Sequence, residues 1–285
     1  MELRQLRYFL KAKELLNFTE AANQLNISQS TLSQQIKQLE EEINVPLFNR
    51  IGKRITLTEA GLLFSEFAFQ SVSRANDGLI MMKDLNNLNV GSLSIGVTYA
   101  LRNLLTRALI LFSEKFPDIK VKIVFGTSTE LIDRLNSTEL DFVLTFREQA
   151  DDVHLRYRSL FSSPMTLVVS KNSNIAGRSS ISLKEIMDLP LAFPDSGYST
   201  IQFINNLLKL KKLKPNVLVE INDISTLLEL VKTGVWNTIL TQVSVDDIGL
   251  STIPIQGKNM LREATVISLK DAYQKKAAEA FQNYL

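Results

Sequence analysis

The sequence predicts a multidomain chain with an all-α N-terminal domain, a long linker helix and a larger C-terminal α/β domain. The 285 residues exceed the usual size of one domain. Short helix-like segments occupy residues 1–58, a proline-free apolar segment follows, and from residue 93 strand-like and helix-like segments alternate. We therefore expect domains at residues 1–58 and 92–285, joined by a helix at residues 59–88.

The composition excludes several classes of function. Hydrophobic residues make up 45% and charged residues 22%, as in folded globular domains. No apolar run approaches the roughly 20 residues of a membrane-spanning helix, and the first residues do not form a signal-peptide pattern, so a cytoplasmic protein is expected. The chain has no cysteine, and its one histidine, His154, lies in a polar stretch and is expected to be solvated. We expect no catalytic residue, no metal site and no cofactor.

Three short helices are predicted within residues 1–43 from the spacing of apolar residues. Thr19 is the expected N-cap of the second helix and Ser28 that of the third, while Asn26 suits the turn between them. The apolar positions are Leu3, Leu6, Phe9 and Leu10 in the first helix, Ala21, Ala22 and Leu25 in the second, and Leu32, Ile36, Leu39 and Ile43 in the third.

The outward face of the third helix carries short donors and acceptors of the kind that contact base edges and phosphates in a major groove. Any surface helix has a polar face, so this helix alone leaves an ordinary solvated surface open. The residues expected to contact DNA in this region are Thr19, Ser28, Gln29, Ser30, Thr31, Ser33, Gln34 and Lys37.

Residues 49–58 predict a β-hairpin, or wing, in which Gly52 permits the turn and Ile55 and Leu57 point inward. Residues 1–58 hold eight basic and six acidic side chains, although the net charge of the whole chain, +2, does not by itself indicate nucleic-acid binding. An ordinary solvated hairpin is the alternative. The cations expected to neutralise DNA phosphates are Arg50, Lys53 and Arg54.

These segments together resemble the signature of LysR-type transcription regulators. The resemblance rests on FTEAA from Phe18 through Leu25, SQSTLS from Ser28, then Ile36, Leu39-Glu40, and Leu47-Phe48 through Arg50, with Ser30 where the family usually has proline. It implies a winged helix-turn-helix whose third helix enters the major groove and whose wing lies at the backbone or minor groove. It also implies operator DNA, RNA polymerase and a second copy of the chain as partners.

Residues 59–88 predict a helix of about 45 Å, since an α-helix rises 1.5 Å per residue. A core helix of the N-terminal domain is one interpretation, and pairing with a second copy in a homodimer or homotetramer is the favoured one. The apolar residues in this segment are Leu62, Leu63, Phe67, Phe69, Val72, Leu79, Met82, Leu85 and Leu88.

The C-terminal domain begins with a βαβαβ pattern, which predicts a parallel sheet. Its strands are expected at residues 93–97, 121–125 and 142–146, and its helices at 101–115 and 130–137. A second series has strands near residues 165–169, 191–193, 217–221 and 238–241, helices near 183–187, 200–213 and 225–233, then a strand at 265–269 and a helix at 274–284. The resemblance implies a two-lobed, periplasmic-binding-protein-like fold, with residues 92–161 and 265–285 in lobe one and 162–264 in lobe two.

Hydroxyl groups follow several of these strands and open the next helix, where free N–H groups attract anions. Helix capping explains each hydroxyl equally well, but several strand ends around one cleft favour a pocket, with Arg102 or Arg147 as a counter-charge. The resemblance implies a small-molecule effector here, and the chemistry suggests an anionic one. The residues expected to contact it are Thr98, Tyr99, Ala100, Thr127, Ser128, Thr129, Thr145, Phe146, Ser196 and Gly197.

Other functions are less well supported by the sequence. An enzyme would need a motif such as a phosphate-binding loop or a nucleophile elbow, and neither pattern is present. A transport-type binding protein shares the two-lobed fold, but residues 1–58 argue against it. Residues 234–242 depart from the family pattern, and there Trp236 fills the core or lies at the cleft rim, the core being favoured.

Overall fold

The computed structural model describes residues 1–51, 54–86, 91–148, 152–195, 197–257 and 259–285, and within these it describes residues 50, 51, 54, 80 and 83–86 by their backbone alone. The chain divides into two compact units, Met1–Asn86 and Asn87–Leu285. Within the described ranges, no helix is both long and apolar enough to cross a membrane.

The first unit is a helical domain with a two-stranded wing. Its core brings together the predicted apolar faces, and Phe9 packs edge-on against Phe48 with ring centroids 5.5 Å apart. The elements are α1 (Leu3–Leu15), α2 (Phe18–Gln24), α3 (Gln29–Ile43), β1 (Phe48–Ile51), β2 (Arg54–Leu57) and α4 (Glu59–Asn86).

The start of α2 differs from the prediction. Asn17, not Thr19, is the N-cap, and its side-chain carbonyl accepts the backbone N–H groups of Thr19 at 3.0 Å and Glu20 at 3.2 Å. Phe18 is the first helical residue and packs its ring 5.4 Å from Phe48. The helix therefore begins two residues earlier than predicted, and Thr19 lies in its first turn.

The turn into α3 matches the prediction. Ser28 is the N-cap, with its hydroxyl accepting the Thr31 N–H at 3.1 Å. Asn26 adopts a positive φ of 54°, a left-handed conformation that asparagine tolerates better than most residues. The two helices therefore meet at a tight turn.

The wing is an antiparallel pair in which Phe48 lies opposite Leu57 and Ile51 opposite Arg54. The predicted turn residue Gly52 lies outside the described residues. One carboxylate oxygen of Glu40 in α3 accepts the backbone N–H groups of Leu47 at 2.8 Å and Phe48 at 3.1 Å. Glu40 therefore fixes the start of the wing to the end of α3.

Helix α4 is continuous over 28 residues, as the proline-free segment predicted. One face packs on the domain core through Ser65 and Ala68, and Val72 also contacts that core. The opposite face exposes large apolar side chains, with Phe67 68% accessible. Leu62, Leu63, Leu79, Met81 and Met82 are exposed with it. Of the predicted apolar positions, Leu88 and the side chain of Leu85 lie outside the described part.

Lobe one of the second unit contains the predicted βαβαβ arrangement. β3 pairs in parallel with both β4 and β5, so it lies between them. A 3-10 turn, Tyr99–Leu101, precedes the first helix of this lobe. The elements are β3 (Gly91–Val97), α5 (Arg102–Lys115), β4 (Ile119–Phe125), α6 (Ser128–Asn136) and β5 (Phe142–Phe146).

Two further strands cross into lobe two, and the one that pairs with β5 runs antiparallel to it, so the sheet is mixed. They are β6 (Leu155–Ser170) and β11 (Leu261–Leu269), and they pair with each other over most of their length. Both are longer than predicted: residues 165–169 are only the end of β6, and β11 begins four residues before residue 265. The sheet order is β10-β6-β11-β5-β3-β4, where β10 is Leu250–Pro254 of lobe two.

Lobe two forms around the end of β6, with a separate hydrophobic core. β7 and β8 pair in parallel, whereas β9 and β10 run antiparallel to β6, and β10 was not predicted. The elements are α7 (Leu183–Ile186), β7 (Leu191–Pro194), α8 (Ser199–Lys211), β8 (Val217–Ile221), α9 (Ile224–Lys232), β9 (Thr238–Thr241) and β10 (Leu250–Pro254). The last helix, α10 (Lys276–Gln282), returns to lobe one, where Phe281 joins its core.

Candidate functional sites

The first candidate site is the outward face of α3. Leu32, Ile36 and Leu39 are fully buried and hold the helix on the domain core. The residues predicted to contact DNA lie on the other side of α3 and at its start. Ser33 is half-buried, and Thr19, Ser28, Gln29, Ser30, Thr31, Gln34 and Lys37 are exposed.

Short hydrogen bonds order the N-terminal end of α3. The Ser28 hydroxyl lies 2.8 Å from the Ser30 hydroxyl and 2.7 Å from that of Thr31, and the Gln29 amide donates to the Ser33 hydroxyl at 2.9 Å. These bonds hold the hydroxyl and amide groups close together at the helix N-terminus, where the backbone N–H groups also favour a phosphate.

The structure describes only some of the cationic side chains that were predicted to contact DNA. Lys37 lies one turn further along α3 and is 3.5 Å from Glu41. The side chains of Arg50 and Arg54, and the whole of Lys53, lie outside the described part of the chain.

The second candidate site is the cleft between the lobes of the second unit. Thr98 directly follows β3 and is 7% accessible; its hydroxyl donates to the Leu144 carbonyl at 3.4 Å, a long bond. Next to it, Tyr99 stacks on Phe125 at the end of β4, with ring centroids 5.3 Å apart. Ala100 continues the same 3-10 turn and is half-buried.

The predicted residues after β4 mostly cap α6. The Thr127 hydroxyl accepts the Glu130 N–H at 3.3 Å and the Glu130 carboxylate accepts the Thr127 N–H at 2.9 Å, which lowers the pKa of Glu130. Thr129 is exposed on the first turn. The buried Ser128 hydroxyl lies 2.7 Å from the hydroxyl of Thr145 in β5.

Phe146, which was also predicted to contact the effector, differs from the residues above in its burial. Its side chain is fully buried in the lobe-one core, and its ring lies 5.4 Å from the Cζ atom of Arg262. The strand alternation that puts the Thr145 side chain on the α6 side turns Phe146 to the other face of the sheet. Arg147, proposed as a counter-charge, forms an ion pair with Glu263 at 3.6 Å.

Lobe two reaches the same cleft through the segment before α8. A Cβ atom added to Gly197 would lie 3.2 Å from Thr127, so the backbone of lobe two approaches lobe one closely here. The Tyr198 ring centroid is 5.7 Å from that of Tyr99, and burial raises the pKa of Tyr198 to about 12. Ser196 lies outside the described residues.

A cavity of about 210 Å³ remains beside these contacts. Arg102 at the start of α5 donates to the Ser225 hydroxyl of lobe two at 3.2 Å. Asp223 is the N-cap of α9, and its hydrogen bonds with Thr226 lower its pKa. The lining residues are Tyr99, Arg102, Asn103, Phe125, Asp223, Ile224, Ser225 and Ser244.

The sequence interpretation missed several of these residues. Asp223 and Ser225 follow strand β8 and open a helix, and a polar side chain in that position is the same signal that predicts Thr98 and Thr127. Phe125 and Tyr198 carry no local signal, because their role depends on ring contacts with Tyr99, which Phe125 makes within lobe one and Tyr198 makes across the cleft.

His154 and Trp236 take no part in either site. His154 is exposed, as expected, and its backbone N–H donates to Asp152 at 2.9 Å. Trp236 is half-buried and lines neither the cavity above nor a hydrophobic core, so it is not the core residue that was favoured. The described residues contain no cluster of metal-binding side chains.

Comparison with known proteins agrees with both units. Residues 3–62 match the family described as bacterial regulatory helix-turn-helix protein, lysR family, and residues 86–285 match the LysR substrate binding domain. The HTH-type transcriptional regulator BsdA of Bacillus subtilis is 29% identical over 99% of both chains. The HTH-type transcriptional activator CmpR of Synechocystis is 26% identical over 99% of this chain and 94% of its own.

Solved structures show the same fold. A full-length OxyR variant from Pseudomonas aeruginosa superposes with a TM-score of 0.71 at 21% identity, covering 100% of this chain and 94% of the other. CbnR in complex with its target DNA superposes with a TM-score of 0.61 at 22% identity, covering 100% of this chain and 98% of the other.

The matching families cover nearly the whole sequence, and the similar full-length relatives are named as regulators rather than enzymes. This chain belongs to the LysR family of DNA-binding transcriptional regulators, with an N-terminal helix-turn-helix and a C-terminal effector-binding domain.

Proposed function

We propose that α3 reads base edges in the major groove of an operator while the wing cations contact phosphates. The observation that carries this is the ordered, exposed set of hydroxyl and amide groups from Ser28 to Gln34 on a helix whose opposite face is fully buried. Base contacts determine sequence preference, whereas phosphate contacts contribute affinity to every sequence.

Fluorescence anisotropy of the full chain on operator and scrambled DNA, over a range of salt concentrations, tests this assignment. Gln34→Ala should reduce the ratio of the two affinities, and Arg54→Ala should weaken both equally and lower the salt slope by about 1. Gln70→Ala, an exposed glutamine on α4, is the matched control and should change neither quantity. Identical behaviour of the Gln34 and Arg54 variants would contradict the groove assignment.

We also propose that a small anionic effector binds between the lobes and modulates DNA binding. Support comes from Thr98 at the end of β3 and from Thr127, which lies close to Gly197 of lobe two, since these residues adjoin helix N-termini. The guanidinium of Arg102 lines the neighbouring cavity. The hydroxyls that now bond within the protein would exchange these partners for the effector. The closeness of the lobes restricts the cavity to a molecule of few atoms in this arrangement.

Thermal unfolding of the full chain against small carboxylates and inorganic anions tests the effector site. A ligand at 100 times its dissociation constant should stabilise the protein by about 2.7 kcal/mol, and Thr98→Ala should remove much of that effect. Thr106→Ala is the matched control, because its hydroxyl donates to the Arg102 carbonyl on the exposed side of α5. Stabilisation that Thr98→Ala leaves unchanged would place the ligand elsewhere.

The proposed functional form is a homodimer or homotetramer that acts with RNA polymerase. The exposed apolar face of α4, which includes Leu63 and Phe67, supports pairing with a second copy, since a helix face of this kind is normally covered. Two copies would present two α3 helices to two half-sites of an operator.

A further inference from the structure

A second cavity, of about 540 Å³, lies between one face of α8 and the beginning of β11. It shares no lining residue with the cavity between the lobes. Its volume is in the range that holds small organic ligands. The residues around it are Arg147, Glu148, Ser199, Gln202, Phe203, Asn206, Leu207, Leu210, Leu261, Arg262 and Glu263.

Arg262 is the unusual member of this lining, because its side chain is buried without a full set of partners. It is 5% accessible, and its Nη1 donates to the Ser199 carbonyl at 3.1 Å. Among the described residues, its Nε and Nη2 atoms have no hydrogen-bond partner. The Cζ atom lies 4.9 Å from the ring centroid of Phe203 and 5.4 Å from that of Phe146. Aromatic rings attract the cation but leave its N–H groups unbonded.

The nearby acids do not supply the missing counter-charge. Glu263, next to Arg262 in β11, pairs with Arg147 at 3.6 Å and accepts the Ser159 hydroxyl. Glu148 is exposed and acts on Arg262 only through space. Burial lowers the pKa of Arg262 to about 10, so the guanidinium still carries its charge at neutral pH. A buried cation without a counter-ion lowers the free energy of unfolding, and an anion that pairs with it removes this penalty.

The positions of the unpartnered Nε and Nη2 atoms also determine which kind of anion can bind in the cavity. Nε and Nη2 lie along one edge of the guanidinium, the edge that donates two parallel hydrogen bonds to a carboxylate. The adjoining wall is apolar, with Phe203, Leu207 and Leu210 on α8. We propose that this cavity binds a small carboxylate with an apolar body, its carboxylate paired with the Nε and Nη2 edge of Arg262 and its body against α8.

Access to that edge requires a local rearrangement. Both nitrogens are shielded from solvent, and Phe203 both approaches the guanidinium and lines the cavity. Binding at Arg262 therefore requires this side chain to rotate about its χ angles, so that a path opens from the cavity to the cation. Since β11 crosses between the lobes, an occupant at Arg262 also contacts the strand that links them.

Isothermal titration of the full chain with hexanoate, with hexanamide as the uncharged isostere, tests the proposal. Wild type should bind hexanoate, and it should bind hexanamide at least about tenfold more weakly. The uncharged amide cannot accept the two parallel, charge-assisted hydrogen bonds that the guanidinium donates to a carboxylate. Arg262→Met should weaken hexanoate at least about tenfold, and Arg262→Lys should recover only part of the affinity because lysine lacks the planar fork. Arg107→Met, which removes an arginine that is 75% accessible, is the matched control and should leave binding unchanged.

Stability without ligand gives an independent result. Removing an unpaired buried charge should leave the melting temperature of Arg262→Met equal to or above that of wild type. A lower melting temperature would show that Arg262 is structural and would overturn the proposal. Hexanoate binding that Arg262→Met does not change would also overturn it. So would the absence of hexanoate binding to wild type up to about 20 mM, a concentration far above metabolite-like dissociation constants. Binding lost in Thr98→Ala but retained in Arg262→Met would assign hexanoate to the cleft between the lobes and leave the proposed function intact.

Discussion

Two glycines in α4 should respond to the same substitution with opposite sign. A Cβ atom on Gly61 would lie 2.1 Å from the backbone carbonyl oxygen of Leu47 and 3.0 Å from Leu57, whereas a Cβ atom on Gly78 meets nothing within 4 Å. The obstacle at Gly61 is backbone, so no side-chain rotation relieves it. The start of α4 must move away from the wing by more than 1 Å to restore an ordinary contact of about 3.5 Å.

That movement disturbs the hydrogen bonds at the start of α4. The Leu47 oxygen accepts the Thr58 N–H at 3.0 Å, and the Thr58 hydroxyl accepts the Gly61 N–H at 2.9 Å while donating to the Pro46 carbonyl. Overpacking typically costs about 1–3 kcal/mol and a lost hydrogen bond about 1 kcal/mol, against about 1 kcal/mol gained from replacing a helical glycine by alanine. Gly61→Ala should destabilise the N-terminal unit by about 1–3 kcal/mol, and Gly78→Ala should stabilise its helix by up to about 1 kcal/mol.

Native-state hydrogen exchange, measured by mass spectrometry on the full chain, separates the two units. Amides in α3 should lose protection in Gly61→Ala and keep it in Gly78→Ala, while exchange in β3–β5 stays unchanged. Operator affinity should fall for Gly61→Ala alone. Equal protection in the two variants would refute the close approach of α4 to Leu47.

Three further predictions follow from single contacts. Asn17→Ala should destabilise the N-terminal unit by about 1 kcal/mol in urea unfolding, because it removes the cap of α2, whereas Thr19→Ala should have little effect; the reverse order would restore Thr19 as the cap. Hydrogen bonds from Ser182 and then Arg178 lower the pKa of Glu185 to about 2, so its contribution to stability is complete above about pH 4.5 and is lost as the pH falls towards 2. Carbon-detected NMR titration should show that low pKa, and Ser182→Ala should raise it. Phe67→Ser should shift the oligomer towards monomer in sedimentation at micromolar concentration, and an unchanged mass would exclude this face of α4 from the interface.

The sequence predicted elements well where burial sets their pattern. The lobe-one strands β3 and β5 are mostly buried apolar segments, and β5 has its predicted bounds. The first half of β6 was missed for a physical reason. In lobe one it is the edge strand beside β11, and edge strands carry charged residues, here Arg156 and Arg158. Its pattern therefore resembles a loop.

The site was predictable only where one local signal identifies a residue. Ser28 and Thr127 follow the rule that a hydroxyl opens a helix, and both are N-caps in the structure. Asn17 shows the weakness of that rule, because two polar residues near a helix start compete for the same position. Arg262 has no local signal at all. Its environment is formed by Phe146, Ser199 and Phe203, which are distant in sequence and come from both lobes.

The contacts between the lobes constrain how an effector can act. In this arrangement Thr127 lies close to Gly197 and Arg102 bonds to Ser225, so the lobes are close together beside the cavity of about 210 Å³. A ligand shifts a conformational equilibrium only by the difference in its affinity for the two states. An effector small enough for this cavity stabilises the closed lobes by adding its contacts to those already made. A larger one must separate Thr127 from Gly197 and so favours an open form, which makes effector size the property that decides the direction of the response.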